Sequence, residues 1–375
     1  MRAAVLLSLV VACTREPGVR VTLAAPRATP KPPPAVRVEP DWLHCPLRAE
    51  TYELGDAGAG APSAPAALGD GFVVAYAVVD GARYAAMAQT FDAGRLGDPV
   101  ALGAARTTPP VLVAARAPLA IVADGDAPAL RELGPRKWRL PMPEGAWPDD
   151  ATMGPRGLLT TYLNVDERVL IRDGRVLARF RASRSYPMPL EQVLASGPEA
   201  DVVVLREAPF RVGVVTPGGA TAEHDLHAPA FVDASVAAGP RGFMVVGDGP
   251  SMTQLTVVPL DPRGAPSPPV DLPPTRDGKV ARFPRVAAVA RGWVATYWDG
   301  VGPSLVRFDG SGRETAPPIE LRTGDERGGQ TEARIAVGPS AIAVTWNVNE
   351  PWFGHGVADE VPKHPGPRLA ILTCR

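Results

Sequence analysis

Short apolar runs recur along this chain. Each follows a turn that contains glycine or proline, and many end at an aromatic residue. Polar residues separate one run from the next. Short runs rich in β-branched and aromatic residues predict strands rather than helices. Seven runs share this pattern: GDGFVVAY at 69–76, RAPLAIV at 116–122, GPRGLLTTY at 154–162, GPEADVVVL at 197–205, GPRGFMVV at 239–246, RGWVATYW at 291–298 and GPSAIAVTW at 338–346.

The spacing of these runs predicts the architecture. Their first large apolar residues lie 39 to 50 residues apart, which fits a four-stranded propeller blade of about 40–50 residues. Armadillo and HEAT repeats have a similar length but are helical, and glycine or proline interrupts this chain too often for helices of that kind. The sequence therefore predicts an all-β, seven-bladed β-propeller with antiparallel blades; six or eight blades are the alternatives.

The sixth unit shows the predicted blade most clearly. An inner strand at Arg285–Ala290 precedes a second strand at Gly292–Trp298. The pair Asp299-Gly300 predicts a turn, because glycine accepts a positive φ at no steric cost. A third strand at Ser304–Asp309 and an edge strand at Pro318–Leu321 complete the unit.

The two ends of the domain predict how the ring closes. Arg48–Leu54 alternates like an edge strand, whereas the last unit lacks such a strand after Arg368–Thr373. An N-terminal strand that completes the last blade would remove an exposed edge. Cys45 and Cys374 flank these strands, so we expect a disulfide between them. The alternative is two free thiols in a cytosolic protein.

The N-terminal sequence MRAAVLLSLVVAC places Arg2 before an apolar run at Ala3–Val11. The run is too short to span a bilayer. It resembles a bacterial lipoprotein signal with the lipobox at Val10–Cys13. This resemblance implies that residues 1–12 are cleaved and that Cys13 carries the lipid. An ordinary secretory signal or a misassigned start codon is the alternative.

The segment after the lipidated cysteine predicts a spacer. Residues 13–44 are rich in proline and poor in large apolar residues, which predicts a semi-extended flexible tether. Residues 45–375 then form one folded propeller domain. Thr14 follows the cysteine, and in lipoproteins of this kind the absence of aspartate there implies the outer membrane. We therefore expect an exported protein anchored to the cell envelope, on its periplasmic or surface side.

Charge and motifs exclude several classes of function. With 39 basic and 40 acidic residues the net charge is −1, which argues against a nucleic-acid binder. The chain contains no nucleophile elbow, phosphate-binding loop or CxxC pair. His224 and His227 lie where an edge strand or turn is expected, so their spacing does not place them on one face. We expect no metal site, no cofactor and a monomer.

Four carboxylates near predicted strand ends leave an enzymatic alternative open. A glycosidase needs two acids that face each other across a pocket. Asp150, Asp233, Asp299 and Glu332 occupy suitable positions, although their spacing selects no pair and no catalytic residue is assigned. The alternative function is a carbohydrate-active hydrolase or lyase with acidic residues around the central channel.

The segment WNVNEPWF at 346–353 suggests a binding surface. Tryptophans beside asparagine and glutamate suit a sugar or peptide, since the rings pack while the amides orient polar groups. The competing interpretation is that the tryptophans at 298 and 346 pack between blades. The candidate ligand-binding residues are Trp298, Asp299, Trp346, Asn347, Asn349, Trp352 and His355.

Taken together, the repeats, the anchor and the ring closure resemble those of secreted bacterial β-propeller lipoproteins. The resemblance covers about residues 45–375 and carries no WD40, kelch or Asp-box signature. It implies a non-catalytic binding or scaffold module, attached to the membrane by lipid, whose partner is another envelope protein or a glycan.

Overall fold

The computed structural model describes most of the chain beyond residue 38. The described residues are 39–55, 59–80, 83–105, 110–115, 118–124, 127–133, 137–144, 146–164, 166–182, 192–205, 209–228, 231, 233–249, 251–273, 280–321, 332–348 and 366–375. The predicted signal peptide, the predicted lipidation site Cys13 and the candidate residues Asn349, Trp352 and His355 lie outside them.

The described part of the chain forms β-strands and no helix. In chain order the strands are β1 (Leu47–Glu53), β2 (Ala59–Pro62), β3 (Ala66–Leu68), β4 (Gly71–Asp80), β5 (Arg83–Asp92), β6 (Arg95–Leu96), β7 (Val100–Ala105), β8 (Leu112–Val113), β9 (Leu119–Asp124), β10 (Ala127–Glu132), β11 (Lys137–Arg139), β12 (Asp150–Gly154), β13 (Gly157–Asn164), β14 (Glu167–Arg172) and β15 (Arg175–Arg181).

The second half continues with β16 (Leu194–Ser196), β17 (Asp201–Leu205), β18 (Arg211–Val215), β19 (Thr221–Asp225), β20 (Ala234–Gly239), β21 (Gly242–Asp248), β22 (Leu255–Leu260), β23 (Val270–Asp271), β24 (Arg282–Val289), β25 (Gly292–Trp298), β26 (Pro303–Asp309), β27 (Glu314–Glu320), β28 (Arg334–Val337), β29 (Ile342–Val348) and β30 (Gly366–Cys374). Among the described residues there is accordingly no helix long and apolar enough to cross a bilayer.

These strands pair antiparallel in consecutive sheets. Four sheets have the sequential orders β12-β13-β14-β15, β16-β17-β18-β19, β20-β21-β22-β23 and β24-β25-β26-β27. A further sheet has the order β1-β30-β29-β28, and a ten-stranded sheet contains β2 to β11. Repeated four-stranded antiparallel sheets confirm the predicted all-β propeller fold.

The number of blades stays a prediction. Within the ten-stranded sheet, β7 and β9 are joined through the single residue pair Ala104 and Ala123. If that sheet is divided at this pair, it supplies two units and the total becomes the predicted seven.

Both ends of the domain contribute to one sheet, as the sequence predicts. β1 pairs with β30 over seven residues, from Leu47 opposite Cys374 to Glu53 opposite Arg368. Cys45 and Cys374 form a disulfide with their Cα atoms 5.6 Å apart, which is an ordinary separation for such a bridge. The predicted ring closure and disulfide are therefore confirmed.

The glycine of the repeated phrase contacts the neighbouring sheet. A Cβ atom added to Gly239 would lie 2.6 Å from the Trp293 ring of the next sheet, so only glycine permits this close approach. The same relation recurs around the ring, where a turn glycine meets the first aromatic of the next phrase: Gly197 with Phe243, Gly239 with Trp293, and Gly338 with Phe72. The repeated phrase thus encodes packing between blades.

The folded unit begins at Glu39, six residues before the boundary expected from sequence. Trp42 and Leu43 are buried in the core cluster of the last two sheets. Arg307 donates hydrogen bonds to the carbonyl oxygens of Trp42 and Cys45, at 3.4 and 2.7 Å, and its burial lowers the pKa of its guanidinium. Apolar burial and backbone hydrogen bonds therefore hold this segment against the domain.

The hairpins define two faces of the ring. In each sequential four-stranded sheet the first strand is the inner one, and a tight turn joins it to the second strand. We call the end with these turns, such as Pro240–Arg241 and Ala290–Arg291, the lower face. The opposite end, where the inner strands begin near Asp150, Asp233 and Glu332, is the upper face.

Candidate functional site

The upper face carries a network of buried charges at the starts of three neighbouring inner strands. Arg285 is fully buried on β24 and donates to Asp233 Oδ2 at 2.8 Å and to Glu332 Oε2 at 3.3 Å. Arg334 on β28 also contacts Glu332 Oε2, at 3.3 Å. Since buried ions require close partners, this arrangement of two arginines with two carboxylates ties three inner strands together.

A β-bulge positions Arg285 in this network. The pairing of β24 with β25 shifts between Arg282 and Arg285, and Phe283 within the bulge has a φ of 54°. The bulge makes Arg282 and Arg285 cross-strand partners of Trp298 and Thr296. These two residues share one face of β25, because side chains alternate along a strand. Bulges commonly redirect side chains beside binding sites.

Asp150 occupies the corresponding position at the start of β12. One carboxylate oxygen accepts hydrogen bonds from the backbone N–H groups of Val193 and Leu194, at 2.8 and 2.9 Å. The other accepts from the N–H group of Ala151 at 2.8 Å. Both oxygens of Asp150 are thus engaged with backbone, and the residue joins β12 to β16.

Gln192 bridges the inner strands β20 and β28. Its backbone carbonyl accepts from Val236 N on β20 at 2.8 Å, and its side-chain amide donates to Ile335 O on β28 at 3.0 Å. The residues bridged belong to sheets that are not neighbours in chain order. Gln192 therefore links inner strands of sheets that do not follow one another in the chain.

Two of the predicted ligand-binding residues lie at the end of β25, on the upper face. Asp299 accepts hydrogen bonds from Val301 N and Gly302 N, at 2.9 and 3.0 Å, and from Ser304 Oγ at 3.0 Å. Its carboxylate therefore organises the turn. Burial, followed by the charge of Asp299, raises the pKa of Tyr297 well above its ordinary value.

Trp298 precedes this turn and is partly buried. Its indole Nε1–H group is enclosed, and no described atom accepts a hydrogen bond from it. A buried indole donor ordinarily has a partner. Trp298 is therefore one of the described site residues with an enclosed polar atom that lacks a partner.

Trp346 and Asn347 occupy the equivalent position on β29, also at the upper face. Trp346 is 1% exposed and packs in the core cluster between the last two sheets. Asn347 is buried, and no described donor reaches its Oδ1 atom. The structure thus accounts for Trp346 by packing, whereas the ligand contacts predicted for Trp298, Asp299 and Asn347 remain predictions.

Sequence reasoning missed the arginines of this site. The sequence places Asp150, Asp233 and Glu332 near predicted strand ends, but it indicates Arg285 only as the first residue of an inner strand. The threonine that precedes the aromatic in two phrases is a second missed signal. Thr296 donates to Ala333 O at 2.6 Å and Thr345 donates to Ser63 O at 2.7 Å, each across to another blade.

The consecutive four-stranded antiparallel sheets, together with the sheet that both chain ends share, define a β-propeller. Its candidate site lies on the upper face, where the inner strands begin at polar residues. Among solved structures, a catalytically inactive variant of virginiamycin B lyase from Staphylococcus aureus, solved with quinupristin, is similar to this chain. The TM-score is 0.58 at 10% identity, over 88% of this chain and 100% of the lyase.

A second similar structure is YCF48 bound to a D1 peptide. Its TM-score is 0.51 at 13% identity, covering 86% of this chain and 94% of YCF48. At such identities the likeness supports the fold alone. No protein-family model matches the chain, and no curated protein matches it either.

Proposed function

We propose that this protein is a lipid-anchored β-propeller of the bacterial envelope that binds a segment of another envelope protein on its upper face, without catalysis. One observation carries the proposal. At the upper face, enclosed polar atoms of Trp298 and Asn347 have no hydrogen-bond partner among the described residues, beside carboxylates that are already engaged. Unpaired amide and indole groups suit the backbone of a peptide. A propeller of similar fold, YCF48, binds a peptide.

The carbohydrate-active alternative is less well supported. Catalytic carboxylates must face a substrate and a water across a pocket. Asp233 and Glu332 instead lie at the two ends of one guanidinium, and Asp150 is bound by backbone N–H groups. These contacts favour a structural role for the carboxylates, even though a lyase shares the fold.

The first described residues of the chain contact the lower face of the domain. Glu39 accepts a hydrogen bond from Ala290 N in a lower-face turn, at 3.1 Å. The Cys45–Cys374 disulfide lies at the same end, because Leu372, two residues before Cys374, pairs with Ile342 at the start of β29. The described N-terminal residues, from Glu39 to Cys45, therefore contact the domain at its lower face, opposite the proposed binding surface.

Site-specific photocrosslinking tests the proposed binding face. With p-benzoylphenylalanine at Val301, in the upper-face turn after Trp298, we expect ultraviolet-dependent adducts with one defined envelope protein in intact cells. The same residue at Arg291, which is exposed on the lower face, serves as the matched control and should give little of that adduct. Equal yields from both positions, or no protein adduct from Val301, would contradict the proposal.

The proposed anchor has its own test. Replacing Cys13 by serine removes the acceptor for lipid, and a spacer alone has no affinity for a bilayer. We therefore expect Cys13→Ser to shift the protein from the membrane fraction to the soluble exported fraction, as measured by fractionation and metabolic labelling with palmitate. Two results together would overturn the anchor: the Cys13→Ser variant stays in the membrane fraction, and the wild-type protein incorporates no palmitate label.

A further inference from the structure

Residues 39–45, which we call the clasp, bring the first cysteine of the disulfide into the apolar core. Trp42 is 1% exposed and lies with Leu43 in the core cluster of the last two sheets. Cys45 and Cys374 pack against the same cluster. Because a buried tryptophan ring contributes a large apolar area, this contact stabilises the docked position of the chain that leads into Cys45.

Polar contacts fix the backbone of the clasp. Arg307 Nη1 donates to the carbonyl oxygens of Trp42 and Cys45, at 3.4 and 2.7 Å. Thr315 Oγ1 donates to Leu43 O at 3.1 Å. Within the clasp, the backbone N–H group of Cys45 donates to Asp41 O at 2.9 Å. The position of Cys45 is therefore determined by its own turn and by side chains of the sixth unit.

Arg307 gives the docked clasp a second source of stability. Its side chain is 6% exposed, and its hydrogen bonds among the described residues go to the two clasp carbonyl oxygens. A buried charged group is costly unless acceptors surround it. If the clasp moved away, Arg307 would lose these acceptors. Undocking therefore costs the apolar contact of Trp42 and the hydrogen bonds of Arg307 together.

Strand pairing alone positions Cys45 less closely. β1 begins at Leu47, two residues after Cys45, and Leu47 lies opposite Cys374. Two residues of undocked chain retain several backbone conformations, whereas a disulfide forms only over a narrow range of separations and orientations. Docking of the clasp removes this freedom before the bond forms.

We propose that the clasp protects the ring-closing disulfide against reduction, with Trp42 and Arg307 as the residues that position Cys45 opposite Cys374. The relevant reductant is a dithiol: it transfers two electrons and two protons to the bridge, leaves two protein thiols and becomes a disulfide itself. By linkage, the closed bridge strengthens docking of the clasp by the same factor. This device lies on the lower face and does not depend on a ligand at the upper face.

Thiol–disulfide equilibration tests the clasp in the full chain carrying Cys13→Ser, which leaves Cys45 and Cys374 as its only cysteines. The protein is equilibrated with mixtures of reduced and oxidised dithiothreitol, and its thiols are alkylated and counted by mass spectrometry. At a fixed reductant ratio, Trp42→Ala should lower the ratio of disulfide to dithiol protein about tenfold. The reduced variant gains undocked conformations that the disulfide excludes, and the pairing of β1 with β30 limits the loss.

Three further variants separate the clasp from general stability. Arg307→Met should lower the ratio in the same direction, and it keeps the test available if Trp42→Ala does not fold. Trp42→Phe should stay close to the wild-type ratio, because it keeps an aromatic ring and the Trp42 indole N–H group has no acceptor among the described residues. The matched control is Leu170→Ala, at a fully buried position of β14. It destabilises both redox forms alike and should leave the ratio unchanged.

The comparison of these variants decides the proposal. A lower ratio in Trp42→Ala or Arg307→Met that is absent from Leu170→Ala supports the clasp. Unchanged ratios in both clasp variants would overturn it, since strand pairing alone would then position Cys45. An equal loss in Leu170→Ala would also overturn it, because the effect would follow global stability. Circular dichroism of each redox form shows that the compared proteins are folded.

Discussion

Replacing Cys45 and Cys374 together by alanine is expected to lower the free energy of unfolding by about 2–4 kcal/mol. The disulfide closes a loop with a sequence separation of 329 residues, so it strongly restricts the unfolded chain. The chain-entropy relation gives roughly 5–6 kcal/mol for a loop of this length, but measured bridges usually contribute less. The loss should appear as a lower guanidinium midpoint, followed by tryptophan fluorescence.

The reduced wild-type protein provides the control for this prediction. It should unfold at nearly the same midpoint as the double variant, because both lack the same covalent link. We expect both to remain folded in buffer, since β1 still pairs with β30 over seven residues and Trp42 stays buried. Identical midpoints for oxidised and reduced wild-type protein would show that the bridge does not stabilise the ring.

The second large effect is expected from Arg285→Leu, which should lower the free energy of unfolding by about 3–5 kcal/mol. The substitution leaves Asp233 and Glu332 buried without the guanidinium that joins them, at side-chain exposures of 4% and 10%. Removing one partner of a buried ion pair is strongly destabilising, because the remaining carboxylates lose part of their compensating charge. Urea unfolding measures the loss, and Arg291→Leu on the exposed lower-face turn should change stability by less than about 0.5 kcal/mol.

A combined variant separates the charge effect from the loss of packing. If uncompensated charge is the cause, adding Asp233→Asn and Glu332→Gln to Arg285→Leu should restore part of the lost stability, because neutral groups are less costly to bury. Failure of the neutral partners to restore any stability would instead assign the loss to packing. A cost below about 1 kcal/mol for Arg285→Leu alone would contradict the role of the network.

Much of the blade structure could be predicted from local sequence. In the sixth unit the second strand, Gly292–Trp298, matches its prediction residue for residue. The third strand begins at Pro303, one residue early, and the edge strand begins at Glu314 rather than Pro318. Turn signals and apolar runs define hairpins well, because both act within a few residues. Edge strands are harder to delimit, since their exposed side chains lack the apolar signal.

The inner strand shows where local reasoning stops. It begins at Arg282, three residues before the predicted start, because Phe283 and Pro284 form a bulge that continues the pairing with β25. Proline and a positive φ at the preceding residue argue locally against a strand. The strand forms nevertheless, because it pairs with β25 and because Arg285 is held by its ion pairs.

The candidate site was only partly accessible from the sequence. Asp233 and Glu332 were recognisable because acidic residues precede inner strands, but they lie about a hundred positions apart in the chain. Their common partner, Arg285, becomes evident only when the blades are adjacent. Trp298 and Trp346 occupy equivalent positions in the repeated phrase, yet Trp346 is enclosed and Trp298 keeps an unsatisfied donor.

The sequence by itself determined the all-β class, the repeated hairpins and the pairing of the two chain ends with their cysteines. The first two follow from turn residues and apolar periodicity, which act locally. The third follows because the last unit lacks an edge strand and the N-terminal end of the domain supplies one. Only the tertiary structure decided why the phrase begins with glycine, which carboxylates share an arginine, and that Trp346 is packed between sheets while the indole donor of Trp298 lacks a described acceptor. Those properties depend on contacts between blades, and a contact between residues distant in the chain leaves no local pattern in the sequence.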